Sequence, residues 1–118
     1  MSSPIQNQIQ TVFIPVSSIE AARDWYCDIL GVPADGEILH GHLFILPMKG
    51  SAGIILDSRI YAPDHVFRIP AVQLLTDDIE KSYVYMKERN VELVTEIQYN
   101  QWFNFKDPDG NMLMICKC

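Results

Sequence analysis

Apolar residues alternate along Ile9 to Val16 and again along Ile69 to Leu75, the period of a strand, in which successive side chains point to opposite faces. In the first run Val12, Ile14 and Val16 form one set and Thr11, Phe13 and Pro15 the other. In the second run the sets are Val72, Leu74 and Thr76 against Ala71, Gln73 and Leu75. After each run the period lengthens to that of a helix. Ile19, Ala22, Tyr26, Ile29 and Leu30 make one stripe, and Ile79, Tyr83, Met86 and Asn90 a weaker one. Ser17 with Glu20 and Asp77 with Glu80 have the spacing of a capping box, which predicts both helix starts. Gly31 and Asn90 predict the two stops.

Three short strands are predicted after each helix. They fall near Gly36–Leu39, His42–Pro47 and Gly53–Asp57 in the first half, and near Leu93–Gln98, Trp102–Lys106 and Asn111–Cys116 in the second. Ser58 to Arg68, with Pro63, reads as a linker. The halves superpose at an offset of 60 residues, which brings Val12 onto Val72, Ser17–Glu20 onto Asp77–Glu80 and Gly50 onto Gly110. The plan is one α+β domain over residues 1–118, a βαβββ module (8–57), a linker (58–68) and a second module (69–117). A sheet with helices on one face only is expected to be polar on the other. Here Leu113 and Ile115 form one face of the last strand while Met112, Met114 and Cys116 form the other, so both faces are apolar. The face away from the helices therefore expects a cover: a second module, a partner subunit or a ligand. A curved mixed sheet forming a cup, with helices outside, meets that requirement.

Composition narrows the function classes. A net charge of −6 with nine Lys and Arg provides no basic face for a nucleic-acid backbone. No apolar run approaches the roughly 20 residues of a membrane span. MSSPIQNQIQ has neither the basic start nor the apolar stretch of a secretory signal. Three cysteines, Cys27, Cys116 and Cys118, form no even framework and fit a reducing, cytoplasmic setting. Cys116 reads as a small core residue and Cys118 as a chain end.

Two stretches carry a resemblance. VSSIEAARDWYCDILGV (Val16 to Val32) and FKDPDGNMLMI (Phe105 to Ile115), in this order and flanking the repeat, resemble the vicinal oxygen chelate superfamily of glyoxalases, bleomycin-resistance proteins and extradiol dioxygenases. The resemblance spans roughly Gln8 to Lys117 and implies paired βαβββ modules forming an open cup, often in a homodimer. It also implies where metal-using members carry ligands: Thr11, Ile54, Ala71 and Met114 stand at those positions. A hydroxyl, two aliphatic side chains and a thioether do not make a site that wants imidazole or carboxylate donors. The resemblance thus implies the fold without its usual metal, with no cofactor and no catalytic residue assigned.

The candidate chemistry left is a small-molecule pocket. Phe13, Phe44 and Trp102 supply aromatic walls, and Gln73, Thr11 and Asn104 supply a few polar groups. With Ile54, Ala71 and Met114 as inward positions, and Glu96 placed to hold a cationic group, these ten residues are the expected ligand-binding set. The expected function is metal-independent binding of a small aromatic or cationic molecule, like the antibiotic-sequestering branch of the family, by a homodimer without nucleic-acid or membrane partners. The competing expectation is a glyoxalase- or dioxygenase-like metalloenzyme that finds its metal through His40, His42 and an acidic neighbour such as Glu37 or Asp57.

Overall fold

A computed structural model describes residues 2–118. The chain runs β1 (Thr11–Pro15), α1 (Ile19–Leu30), β2 (Leu43–Ile45), β3 (Gly53–Asp57), β4 (Val72–Leu75), α2 (Ile79–Glu88), β5 (Glu92–Leu93), β6 (Trp102–Lys106) and β7 (Met112–Cys116). The strands form two mixed sheets, ordered β1-β3-β2 and β4-β7-β6-β5. In each, the opening strand runs parallel to the closing strand, which pairs antiparallel with the strand before it. This is the predicted α+β plan of two paired modules, the first one strand short of βαβββ, and the open sheets are consistent with a cup. Among the described residues no helix is long and apolar enough to cross a membrane.

The first module lacks one predicted strand. Gly36–Leu39 contributes only an isolated bridge, Leu39 to Leu43, because His40 and Gly41 both turn at positive φ (52° and 75°). In the second module the predicted Leu93–Gln98 strand shortens to Glu92–Leu93. Val94 and Thr95 both donate to the Asn104 carbonyl, so the ladder is irregular beyond that point.

The caps also differ from expectation by one residue. Ser18 caps α1 by accepting from the Ala21 amide at 3.3 Å, and Asp78 caps α2 by accepting from Lys81 at 3.0 Å. Ser17, the predicted cap, is engaged elsewhere. Gly31 ends α1 as predicted, at φ 68°, a left-handed conformation that glycine adopts without Cβ strain. Asn90, at φ 57°, turns the chain after α2. The structure joins Cys116 and Cys118 by a disulfide, so Cys118 is not the bare chain end that the sequence suggested.

One core unites both modules. Ile14, Leu56 and Phe44 from the first sheet and Val72, Leu113, Ile115, Phe103 and Phe105 from the second pack with Ile19, Ala22, Tyr26 and Ile29 of α1 and Ile79 and Met86 of α2. Trp25 lies edge-on to Tyr26 and 6.5 Å from Phe105, so α1 bridges its own sheet and the neighbouring one. Tyr85 of α2 reciprocates, donating to the Asp28 and Ile29 carbonyls at the end of α1.

Candidate functional site

The helix-packed faces of the sheets are spent on this core, which leaves the opposite faces as the candidate site. Register decides which residues occupy them. In the second sheet Gln73 pairs with Met114, Asn104 with Met114, Trp102 with Cys116 and Lys106 with Met112. Ala71, Gln73 and Leu75 therefore share a face with Met112, Met114, Trp102, Asn104 and Lys106. In the first sheet Phe13 pairs with Ile55, and Ile45 with Ile55, so Thr11, Phe13, Ile55, Leu43 and Ile45 share the corresponding face.

Both open faces are apolar and poorly covered. Phe13 is 45% exposed, Ile45 56% and Leu75 76%, while Trp102, Met112 and Met114 are half-buried. Surface this apolar lying together is informative in a way that a single exposed leucine is not. Gln73 Nε2 donates to the Met114 sulfur at 3.3 Å, which ties the edge strand to the centre of the face.

Two expected pocket residues are corrected by this register. Phe44 and Ile54 are buried on the helix-packed side, where Phe44 pairs with Leu56 and Ile54 with Val12. The cause is a one-residue slip inside the repeat. Val12 pairs with Ile54 where Val72 pairs with Leu113, so the opening strands are offset by 60 and the closing strands by 59. Ile45 and Ile55 take the places assigned to Phe44 and Ile54. Both are aliphatic, so the one-residue slip brings no metal ligand with it. Glu96 is exposed between β5 and β6, with no partner for its carboxylate among the hydrogen bonds and ion pairs of the described residues. Thr11, Phe13, Ala71, Gln73, Trp102, Asn104 and Met114 all project from the open faces.

The residues present do not fit a divalent ion. At the positions where the resemblance expects ligands stand a hydroxyl, a methyl, a thioether and, after the register is corrected, Ile55. Among the described residues no three His, Cys, Asp or Glu side chains come together as ligands would. His40 and His42 have ring centroids 6.4 Å apart, and His42 Nδ1 meets the His40 carbonyl at 3.0 Å within the turn.

A second polar cluster, not foreseen from the sequence as a unit, lies where the modules meet. Tyr26 Oη donates to Asp107 Oδ2 at 2.6 Å, and Asn111 Nδ2 donates to the same oxygen at 2.9 Å. The amides of Asp109 and Asn111 both donate to Asp107 Oδ1 at 2.9 Å. Asn111 also donates to the Pro15 carbonyl at 2.7 Å and accepts from the Phe67 amide at 2.9 Å. Ser17 donates to Asp109 through both its amide (2.9 Å) and its hydroxyl (2.6 Å). Burial and the negative Asp107 beside it push the Tyr26 phenol well above its usual range, so it stays protonated and donates. Burial also raises the Asp107 carboxyl, against hydrogen bonds that pull it down.

Perturbed groups beside a cleft suggest catalysis, but the geometry here argues for structure. A carboxylate offers about four lone-pair sites, and four donors occupy those of Asp107. The adjoining cavity, between Ala21, Ala22, Tyr26 and Asp107, measures about 60 Å³, against roughly 300 Å³ or more for a small-molecule site. The cluster is a clasp between the modules. Its sequence signal was present in the Asp-Pro-Asp-Gly-Asn turn and in Tyr26, but nothing in the linear sequence joins them.

The profile of the Glyoxalase/Bleomycin resistance protein/Dioxygenase superfamily matches residues 8–115. No curated protein matches the chain significantly. Solved structures do. TnmS3, an antibiotic binding protein from Streptomyces sp. CB03234, is 24% identical, with 98% of each chain covered and a TM-score of 0.75. A superfamily member from Sphaerobacter thermophilus DSM 20745 is 23% identical, with 96% of this chain and 98% of that one covered and a TM-score of 0.71. The trypanothione-dependent glyoxalase I of Leishmania major is 12% identical over 95% of this chain and 87% of its own, with a TM-score of 0.68. Such identities show a shared fold, and the profile match over nearly the whole chain shows more: the chain belongs to the glyoxalase/bleomycin resistance protein/dioxygenase superfamily.

Proposed function

We propose that the protein binds a small, partly aromatic organic molecule on its open sheet faces without help from a metal ion. The observation that carries this reading is the apolar face left uncovered by its own helices, with Phe13, Trp102 and Met114 on it and no imidazole or carboxylate at the expected ligand positions. The likeness to TnmS3, an antibiotic binding protein, supports the choice of binding over turnover. The family also includes enzymes, as the Leishmania glyoxalase I shows, but Thr11, Ile55, Ala71 and Met114 offer neither imidazole nor carboxylate where the resemblance expects metal ligands.

A second copy of the chain completes the hollow in this reading. β1 and β4 are edge strands, each with one side unpaired, and each carries an exposed apolar residue on the open face, Phe13 or Leu75. A groove in the single chain between Leu30, Leu75, Tyr85 and Met86 measures about 200 Å³, less than the roughly 300 Å³ or more of a small-molecule site.

A thermal-shift screen of aromatic and cationic antibiotics, bleomycin included, with chelator present, tests the reading. A binder at 100 times its dissociation constant adds about 2.7 kcal/mol of stability. Stabilisation by an organic compound in chelator is expected. Stabilisation by a divalent ion alone, lost in His42→Ala, overturns it in favour of the metalloenzyme.

A further inference from the structure

The second open face holds one buried polar atom that the protein itself leaves unused. Asn104 is only 9% exposed, and its Oδ1 is buried without a hydrogen-bond partner. Its backbone is fully engaged: the amide donates to Thr95 Oγ1 at 3.0 Å, and the carbonyl accepts from the Val94 amide at 2.9 Å. Register puts the side chain at the centre of the apolar face, opposite Met114 and between Trp102 and Lys106 on its own strand. A buried amide oxygen with no donor is costly, and native structures hold few such groups. Such a cost is offset when a ligand brings the missing donor.

The charge around it restricts what that ligand is. The charged side chain next to it on the strand, Lys106, is already paired with Glu92 at 3.8 Å. An ammonium group would meet a neutral amide beside a cation, Lys106, whose carboxylate partner is already engaged. A planar apolar body with one neutral donor, a phenolic hydroxyl or an amide or ring N–H, suits the indole of Trp102, the thioether of Met114 and the buried acceptor beside them. In the first sheet Thr11 Oγ1 is likewise buried without a partner, so each module offers its open face one unused oxygen.

We infer that Asn104 is a specificity-determining residue that reads a hydroxyl or N–H donor on an aromatic ligand. This inference rests on the open face being a small-molecule hollow. Calorimetric titration of the full chain with 2-naphthol and with 2-methoxynaphthalene, which share a ring system but differ in the donor, tests it. In the wild type 2-naphthol is expected to bind at least about 10-fold more tightly, because only it satisfies the buried oxygen. In Asn104→Leu, similar in volume, that ratio is expected to collapse towards one. Without ligand, the same variant is expected to melt about 3 °C or more above the wild type, since an unsatisfied acceptor has been removed. Equal binding of the two compounds by the wild type overturns the role of Asn104 and leaves the hollow standing. A donor preference that persists in Asn104→Leu does the same. Failure of both compounds to bind overturns the hollow and the inference together. A lowered melting temperature for Asn104→Leu shows that the amide is already satisfied and contradicts the premise.

Discussion

The clasp and the open face are both built from polar groups among apolar ones, yet they are satisfied in opposite ways. At the clasp each carboxylate oxygen of Asp107 accepts two hydrogen bonds, and Asn111 spends its whole side-chain amide on Pro15, Phe67 and Asp107. On the open face Asn104 Oδ1 and Thr11 Oγ1 accept none. A completed network specifies one arrangement and has nothing left for a substrate. An incomplete one costs stability, and it persists where something from outside completes it. The comparison separates the residues that hold the modules together from those that face a ligand. The closing turn that marks the family belongs to the first group.

If that division holds, substitutions at the clasp lower stability without selecting among ligands, and substitutions on the open face do the reverse. Asp107→Ala has the largest expected effect. It strips the acceptor from Tyr26, from Asn111 Nδ2 and from two backbone amides, and costs about 3–5 kcal/mol in urea denaturation. Tyr26→Phe removes one donor and keeps the ring, so the expected loss is about 1–2 kcal/mol at neutral pH. The same variant tests a pH signature. The folded-state pKa of Tyr26 lies above that of the unfolded chain, so its contribution is whole below about pH 10 and is lost as pH rises further. Wild-type stability is expected to fall more steeply than that of Tyr26→Phe above that point, and parallel curves would contradict the burial of the phenol. Ser18→Ala removes the cap of α1 and costs about 1 kcal/mol.

The open face supplies the contrast. Leu75→Glu touches little within the chain and is expected to change its unfolding free energy by no more than about 0.5 kcal/mol. It is expected to halve the solution mass seen by light scattering, because it puts a charge on the edge proposed to meet a second copy. A wild-type protein that is already monomeric would remove the second copy from the account.

Much of this division was legible in the sequence, though not its assignment. The period-two runs, the helix stripes and the repeat gave both modules, because the pattern that buries one face of each element is local. The apolar set Met112, Met114 and Cys116, which no helix could cover, pointed to the hollow. What remained hidden depends on pairing across the chain. An even offset of 60 misplaces Phe44 and Ile54, because one residue more separates the later strands from the opening strand in the first module than in the second, and a shift of one reverses the face of every side chain. The capping reading failed at Ser17 because its hydroxyl is drawn to Asp109, 92 residues away, while Ser18 takes the helix. The helix stripe points Tyr26 inward, and it is buried, but its partner Asp107 lies in the other module.

The most direct test follows the amide signals of a 15N-labelled chain while 2-naphthol is added with chelator present. The expected result is that the Trp102 indole N–H and the side-chain amides of Asn104 and Gln73 shift and saturate together, with the amides of Asp109 and Asn111 at the clasp unmoved. Shifts confined to the clasp, or no change until a divalent ion moves the signals around His40 and His42, would contradict the account.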